Sequence, residues 1–223
     1  RMSVYVDFNT MHTTHGRALA FATGLKMARP DMHVIVVMGD GDALAIGGNH
    51  FIHAARRNID LTAIVINNSI YGMTGGQYSP ATPLGAFAAT APYGTIERPF
   101  SPCQLAEAAG ASFIARSTVY HARELDHLIE QAIRKQGFAL VEAVSYCHTT
   151  YGRMNKSGTA VDMMRQLKDN SVTIQAASEM SEEERQRKII RGVLVDRELP
   201  EYIAEYGKVI AAAQTSTQVA QHA

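Results

Sequence analysis

Apolar and small residues run all round a helical period over residues 12–28 (HTTHGRALAFATGLKMA), which predicts a buried helix ended by Pro30. Residues 34–38 (VIVVM) form a short, unbroken, β-branched run, the pattern of a strand covered on both faces. GDGD at 39–42 breaks that run. Residues 43–57 then return to a helical period with a basic last turn, and 61–66 (LTAIVI) read as a second buried strand. A strand, a crossover helix and a strand within this span predict a βαβ unit with parallel strands. After a long Gly-, Pro-, Ser- and Thr-rich stretch at 69–102, the alternation resumes. Helix is expected at 103–111, strand at 112–116, amphipathic helix at 121–136 and strand at 138–145. Beyond Cys147 the pattern weakens to polar helices at 160–170, 181–191 and 200–212 and a loose tail. The expected fold is α/β: a mostly parallel twisted sheet flanked by helices over residues 1–150, with a mainly helical extension over 151–223.

Composition supports that reading. Of 223 residues, 46% are hydrophobic and 19% charged, enough apolar material for one good-sized core. Lys plus Arg equals Asp plus Glu at 21 each, which argues against a nucleic-acid partner held by phosphate neutralisation. No apolar run reaches the ~18 residues needed to span a bilayer, so no membrane role is expected. Two cysteines, Cys103 and Cys147, cannot form a disulfide framework and point to a reducing, cytoplasmic setting. The sequence opens at Arg1 without a leader, directly in structured-looking sequence, so further residues are expected upstream.

The chemistry concentrates where strands end. Ligands of open parallel sheets bind at the carboxyl ends of strands. Asp40 lies just past one strand, and Asn67 and Asn68 lie just past the next. Either group alone is an ordinary turn sequence. Together they bring a carboxylate and an amide oxygen to one edge, hard ligands that suit Mg²⁺ or Ca²⁺ and, through the metal, a substrate diphosphate. Gly39 and Gly41 permit a sharp turn and close backbone approach, and the following helix offers free N–H groups to an anion. His12 and His15, three apart, could share a metal, but no third ligand is evident. The long stretch at 69–102 exceeds an ordinary connection and is expected to be functional or disordered.

GDG followed after 25 residues by NN resembles the thiamine diphosphate motif. The wider runs HTTHGRALAFATGLKMARPD, GDGDALAIGGNHFIHAARRNIDLTAIVINN and YGMTGGQYSPATPLG resemble the β subunits of 2-oxoacid:ferredoxin oxidoreductases, above all the 2-oxoglutarate type, across about residues 1–150. The resemblance implies Mg²⁺ held by Asp40, Asn68 and the Ile70 carbonyl. It implies a diphosphate held by Gly41 and Asp42, and thiamine diphosphate flanked by His15, Gly72 and Met73, with Met73 also near substrate. It further implies that Cys147 is the fourth ligand of a 4Fe–4S cluster. The other three cysteines of that pattern precede the position of Arg1 and are not in this sequence, which is why a longer natural chain is expected. Cys103 reads as structural.

The activating Glu of thiamine enzymes has no counterpart here, and the resemblance places it on an α subunit, so no catalytic residue is named on this chain. The implied reaction is oxidative decarboxylation of a 2-oxoacid with CoA to acyl-CoA and CO₂, with electrons leaving through Fe–S clusters to ferredoxin. A hetero-oligomer such as (αβ)₂ is implied. 2-Oxoglutarate is the expected substrate and pyruvate the alternative. Gly75 and Gly76 leave space but no charge, so the distal carboxylate would be met by Arg1 or by an Arg of the partner. Two other classes fit parts of the sequence. VIVVMGDGDAL resembles the opening of aspartyl-phosphate phosphatases, with Asp40 as nucleophile and Asp42 as acid, but no later GDxxxD motif follows. A non-catalytic scaffold subunit would not need to keep Asp40 and Asn68.

Overall fold

The apolar runs become the strands of one six-stranded sheet. The computed structural model describes residues 4–221. Its strands are β1 (Ile35–Gly39), β2 (Thr62–Asn67), β3 (Phe113–Thr118), β4 (Ala139–Val144), β5 (Ser171–Thr173) and β6 (Ile189–Asp196), in the spatial order β1-β2-β4-β3-β6-β5. All neighbouring pairs are parallel except β3 with β6. The parallel core follows from the crossover helices, which carry the chain back to the start of the sheet after each strand.

Those helices cover two faces. On one side α1 (Ala18–Ala28), α3 (Gly48–Arg56) and α4 (Pro102–Ala109) pack Leu19, Phe51, Ala55 and Ala106 onto Met38, Val65, Ile114 and Leu140. On the other, α5 (Ala122–Arg134) packs Leu128 and Ala132 onto Phe113, Ala115, Ala139 and Val141. Neighbours along β3 and β4 thus serve opposite cores, as the period of two requires. The strand β1 departs from the expected burial on both faces. Val36 and Met38 are buried, but Ile35 and Val37 are partly open, because α5 packs mainly on β3 and β4, away from this edge strand.

Several boundaries also differ from expectation. The first helix begins at Ala18, not residue 12, because Gly16 takes a left-handed turn (φ +72°) that helix cannot continue through. GDGD does not simply break the chain: Asp40 opens a short helix, α2 (Asp40–Leu44). The helix expected at 43–57 is split between α2 and α3, and at the break the Ile46 carbonyl accepts a bond from Arg17 Nη1 at 3.0 Å. Residues 69–101 carry no helix or long strand, yet they are ordered by their own hydrogen bonds, among them Gly85 N–H to Thr95 O at 2.8 Å and Ala89 N–H to Gly76 O at 2.7 Å.

The polar helix expected over 181–191 is confined to α8 (Glu182–Gln186), capped reciprocally by Ser181 and Glu184. Beyond it Ile189–Asp196 pairs with β3 as a strand. The extension also contributes α6 (Ala160–Asp169) and α7 (Ile174–Ser178), and its last helix, α9 (Tyr202–Gln221), runs through most of the segment expected to be a loose tail.

One polar network sits inside the sheet. Arg116 and Glu142 are register partners on β3 and β4, and Arg116 Nε donates to Glu142 Oε2 at 2.6 Å. The Cys103 thiol donates to the same oxygen at 3.2 Å, and Asn67 Nδ2 donates to Oε1 at 2.7 Å. Burial first, and then the Glu142 charge, push the Cys103 thiol well above its ordinary range, so it stays a neutral donor. This agrees with a structural Cys103. Breaking such a pair leaves an uncompensated buried charge. Arg116→Met is expected to lower unfolding stability by about 3–5 kcal/mol, with much of that recovered in Arg116→Met/Glu142→Leu. Urea denaturation checks this, and a loss below about 1 kcal/mol in the single variant would place the pair in the surface class.

Candidate functional site

The sheet brings the predicted groups to one edge. Gly39, the last residue of β1, is in register with Ile66, so Asp40 and the Asn67–Asn68 pair emerge side by side at the carboxyl ends of β1 and β2. Asp40 is only 2% exposed. Ser79 Oγ donates to its Oδ2, and the backbones of Asn68 and Gly41 adjoin its carboxylate.

The two asparagines part company. Asn67 turns into the protein: its Nδ2 binds Glu142, and its Oδ1 accepts the Ser69 N–H at 3.1 Å. Asn68 stays at the edge, with Oδ1 accepting the Ile70 N–H at 3.2 Å. Between them and Ile70, Ser69 holds a left-handed φ of +61°, which gives the turn its reversal. Ile70 itself is buried.

The neighbouring predicted residues fall into three groups. Gly41 lies beneath the ring of Tyr71, which any Cβ at residue 41 would overlap, and the Tyr71 hydroxyl donates to the Gly41 carbonyl at 2.9 Å. Asp42 Oδ1 accepts the Gly16 N–H and lies 3.1 Å from His15 Nδ1, while the His15 and Tyr71 rings stand 5.9 Å apart. Gly72 is next: a Cβ there would sit 3.2 Å from Cys147 Sγ and 3.9 Å from Asn68 Nδ2. The segment after β4 is thereby folded back onto the cluster. Met73 is 94% exposed, at the rim rather than within it. Arg1 lies outside the described residues.

Residues 1–143 match the family described as thiamine pyrophosphate enzyme, C-terminal TPP binding domain. The 2-oxoglutarate synthase subunit KorB of Methanocaldococcus jannaschii is 55% identical over 210 residues, covering 94% of this chain and 78% of that protein. The chain belongs to the KorB family of 2-oxoglutarate synthase subunits. The KorB protein of Archaeoglobus fulgidus is 58% identical over 170 residues, 76% of this chain and 62% of its own length. Among solved structures, the 2-oxoglutarate:ferredoxin oxidoreductase of Magnetococcus marinus superposes with a TM-score of 0.79 at 34% identity, covering 92% of this chain and 70% of that one. The phosphatase reading falls with these findings. In the structure one oxygen of the Asp42 carboxylate is engaged by the Gly16 N–H and lies beside His15.

The KorB-family site is chemically suited to a divalent cation. Burial pushes the Asp40 pKa up, while the Ser79 hydroxyl and the backbone N–H groups of Asp40, Asn68 and Gly41 pull it down, and the net direction is upward. Among the described residues no Lys, Arg or His forms an ion pair with it. A buried carboxylate with hydrogen-bond donors but no counter-charge fits a hard metal ion. Among the described residues no three His, Cys, Asp or Glu side chains cluster to hold a metal. One carboxylate supported by an amide and a carbonyl matches the few protein ligands that Mg²⁺ takes when phosphates and water complete its shell.

Cys147 precedes a single π-helical turn, His148–Gly152. Partial burial disfavours its thiolate, but the hydroxyl of Thr149, 3.6 Å away, and the N–H of Tyr151 outweigh burial and lower its pKa. With Cys103 engaged at Glu142, Cys147 is the one thiol of this sequence at the site. A four-thiolate cluster there would need sulfurs from outside the sequence. No helix among the described residues is long and apolar enough to cross a membrane.

Sequence reasoning missed Tyr71, Ser79 and Thr82. The signals were the run YGMTGGQYSPATPLG, which marks the family but not the role of these three residues, and the Ser79-Pro80 and Thr82-Pro83 dipeptides, which mark turns but not contacts.

The raised pKa of Asp40 has a measurable sign. In the metal-free fold its stabilisation is present below the unfolded pKa, about 3.9, and is lost as pH rises through the folded value. At neutral pH the ionised carboxylate therefore destabilises the metal-free fold. Asp40→Asn is expected to raise the melting temperature of metal-free protein at neutral pH, with the advantage disappearing below about pH 3.9. A lower melting temperature at neutral pH would show that the ionised form is satisfied without metal.

Proposed function

We propose that this chain is the thiamine diphosphate- and Mg²⁺-binding half of a 2-oxoglutarate:ferredoxin oxidoreductase, working with an α subunit. The observation that carries the reading is Asp40, buried without a counter-ion among the described residues, beside Asn68 at the ends of two adjacent parallel strands. In this reading the Asp40 carboxylate, the Asn68 side-chain oxygen and the Ile70 carbonyl hold Mg²⁺. Backbone N–H groups at Gly41 and Asp42 meet the diphosphate. For Asp42 only the backbone can serve, because its carboxylate is engaged with Gly16 and would repel a phosphate. His15 borders the same ground through Asp42. Thiamine diphosphate, when bound, supplies the electron sink for loss of CO₂ from the oxoacid.

The remaining residues divide the work. Gly72, with no side chain between Asn68 and Cys147, lets the thiol stand close to the bound cofactor. Cys147 would take one corner of a 4Fe–4S cluster, the first carrier toward ferredoxin. Met73 on the rim would face substrate, together with Arg1. Support for the substrate comes from the KorB relatives, named for 2-oxoglutarate synthase, and from the Magnetococcus marinus enzyme, solved with 2-oxoglutarate, coenzyme A and succinyl-CoA bound. The Glu that activates the cofactor is expected on the α subunit, and the assembly is expected to be (αβ)₂ in a cytoplasmic, reducing setting.

Two outcomes follow. The complex with the α subunit should oxidise 2-oxoglutarate with a kcat/KM at least about tenfold above that for pyruvate, a gap of ~1.4 kcal/mol in transition-state binding, while the purified chain alone turns over neither. A preference for pyruvate would name the wrong acid, and activity in the single chain would place the activating acid here. Cys147→Ser in the natural full-length chain should lower bound iron and slow reduction of ferredoxin while thiamine diphosphate binding survives. Full iron content in that variant would make Cys147 structural.

A further inference from the structure

Among the described residues, the polar side chain that hydrogen-bonds Asp40 comes from neither cofactor-binding turn. It comes from Ser79, in the long ordered segment between β2 and α4, and both Ser79 and its neighbour Thr82 are buried. Their bonds fix the direction of each hydroxyl. The Ser79 hydroxyl donates to Asp40 Oδ2 and accepts the Ala81 N–H at 3.2 Å. The Ser79 N–H donates to Thr82 Oγ1 at 2.8 Å, and the Thr82 hydroxyl donates onward to the Ser69 carbonyl at 2.7 Å. Each hydroxyl has one proton, and each is committed. Ser69 is the left-handed residue between Asn68 and Ile70. An unbroken chain of bonds therefore runs from the Asp40 carboxylate to the turn that carries the other two ligand positions.

The strut is itself held from behind. Phe100 N–H bonds the Pro80 carbonyl at 2.8 Å, and the Thr95 hydroxyl bonds the Pro83 carbonyl at 2.6 Å. Pro80 and Pro83 restrict the backbone on either side of the turn. The piece that links the two ligand-bearing segments is short and conformationally restricted, with Ser79, Ala81 and Thr82 buried and both hydroxyls hydrogen-bonded.

We propose that Ser79 and Thr82 are positioning residues that set the spacing between Asp40 and the Asn68–Ile70 turn, so that the cation's protein ligands stand in place before metal arrives. Ser79 stops rotation of the carboxylate by engaging one oxygen, leaving the other with a fixed direction. Thr82 transmits that position to Ser69. Such preorganisation lowers the ordering cost of binding, and its loss appears as weaker metal affinity rather than as lost binding capacity. The inference rests on the metal role proposed above for Asp40 and Asn68.

The test uses the assembled enzyme, stripped of metal, at saturating thiamine diphosphate. Mg²⁺ is titrated in and cofactor uptake is followed by calorimetry, with the melting temperature of the metal-free complex recorded alongside. Ser79→Ala and Thr82→Val are expected to raise the Mg²⁺ concentration at half-uptake by about tenfold or more, the scale of one lost hydrogen bond to a charged group. Full cofactor stoichiometry should return at high Mg²⁺, and Thr82→Ser, which keeps the hydroxyl, should remain close to the parent. If Ser79→Ala fails to fold, the Thr82→Val and Thr82→Ser pair decides the matter. A Mg²⁺ requirement within about twofold of the parent in Thr82→Val, whatever its melting temperature, would overturn the proposal. Asp40→Ala separates this failure from a deeper one. If Asp40→Ala loses Mg²⁺-dependent uptake while the hydroxyl variants keep it, only the strut is wrong. If Asp40→Ala also binds normally, the metal reading beneath it is wrong.

Discussion

The constraint on which this site depends is the charge of Asp40, held out of water at the end of β1. A carboxylate in that position resists ionisation, and the described residues offer it a hydroxyl and backbone N–H groups but no cationic partner. The fold can keep such a residue because β1 and β2 are parallel neighbours whose ends open on the same edge. The turn after β2 therefore faces Asp40 and can share a ligand with it. The short helix α2, the left-handed Ser69 and the Tyr71 ring on Gly41 all pack around this group. They enclose a carboxylate that pairs with no cationic side chain among the described residues.

A second buried carboxylate, Glu142, meets the same problem with a different solution. It has Arg116, the Cys103 thiol and the Asn67 amide, so its oxygens are satisfied by the protein alone. The contrast separates structure from function within one asparagine pair. Asn67 belongs to the satisfied network and fixes the end of β2. Asn68 is left at the edge beside Asp40, Gly72 and Cys147.

What was legible in the sequence was whatever local pattern determines. Unbroken β-branched runs marked the parallel strands, and their abrupt ends at GDGD and NN marked the site. Tertiary facts were not legible. The open outer face of β1 depends on how far α5 extends across the sheet, which no run of residues in β1 encodes. The strand β6 was hidden because Arg191 and Gly192 interrupt its apolar run, and Arg191 is there to meet Glu124 on α5 at 2.6 Å. Ser79, Thr82 and Tyr71 lie in a segment without periodicity, where a residue's importance comes from what the fold sets against it. The family resemblance supplied the candidate ligand residues but not the buried hydroxyls behind them.

The account turns on the different roles of two adjacent asparagines, and one paired measurement addresses that directly. Thiamine diphosphate is titrated calorimetrically into the metal-free assembled enzyme at a series of Mg²⁺ concentrations, for Asn68→Ala and Asn67→Ala. The melting temperature of each metal-free complex is measured in parallel. Asn68→Ala is predicted to weaken Mg²⁺-dependent binding by about tenfold or more with little change in melting temperature. Asn67→Ala is predicted to lower the melting temperature, since it leaves Glu142 short of a donor, while much of the Mg²⁺ dependence remains. The reverse assignment, with metal affinity lost in Asn67→Ala and retained in Asn68→Ala, would contradict the site described here.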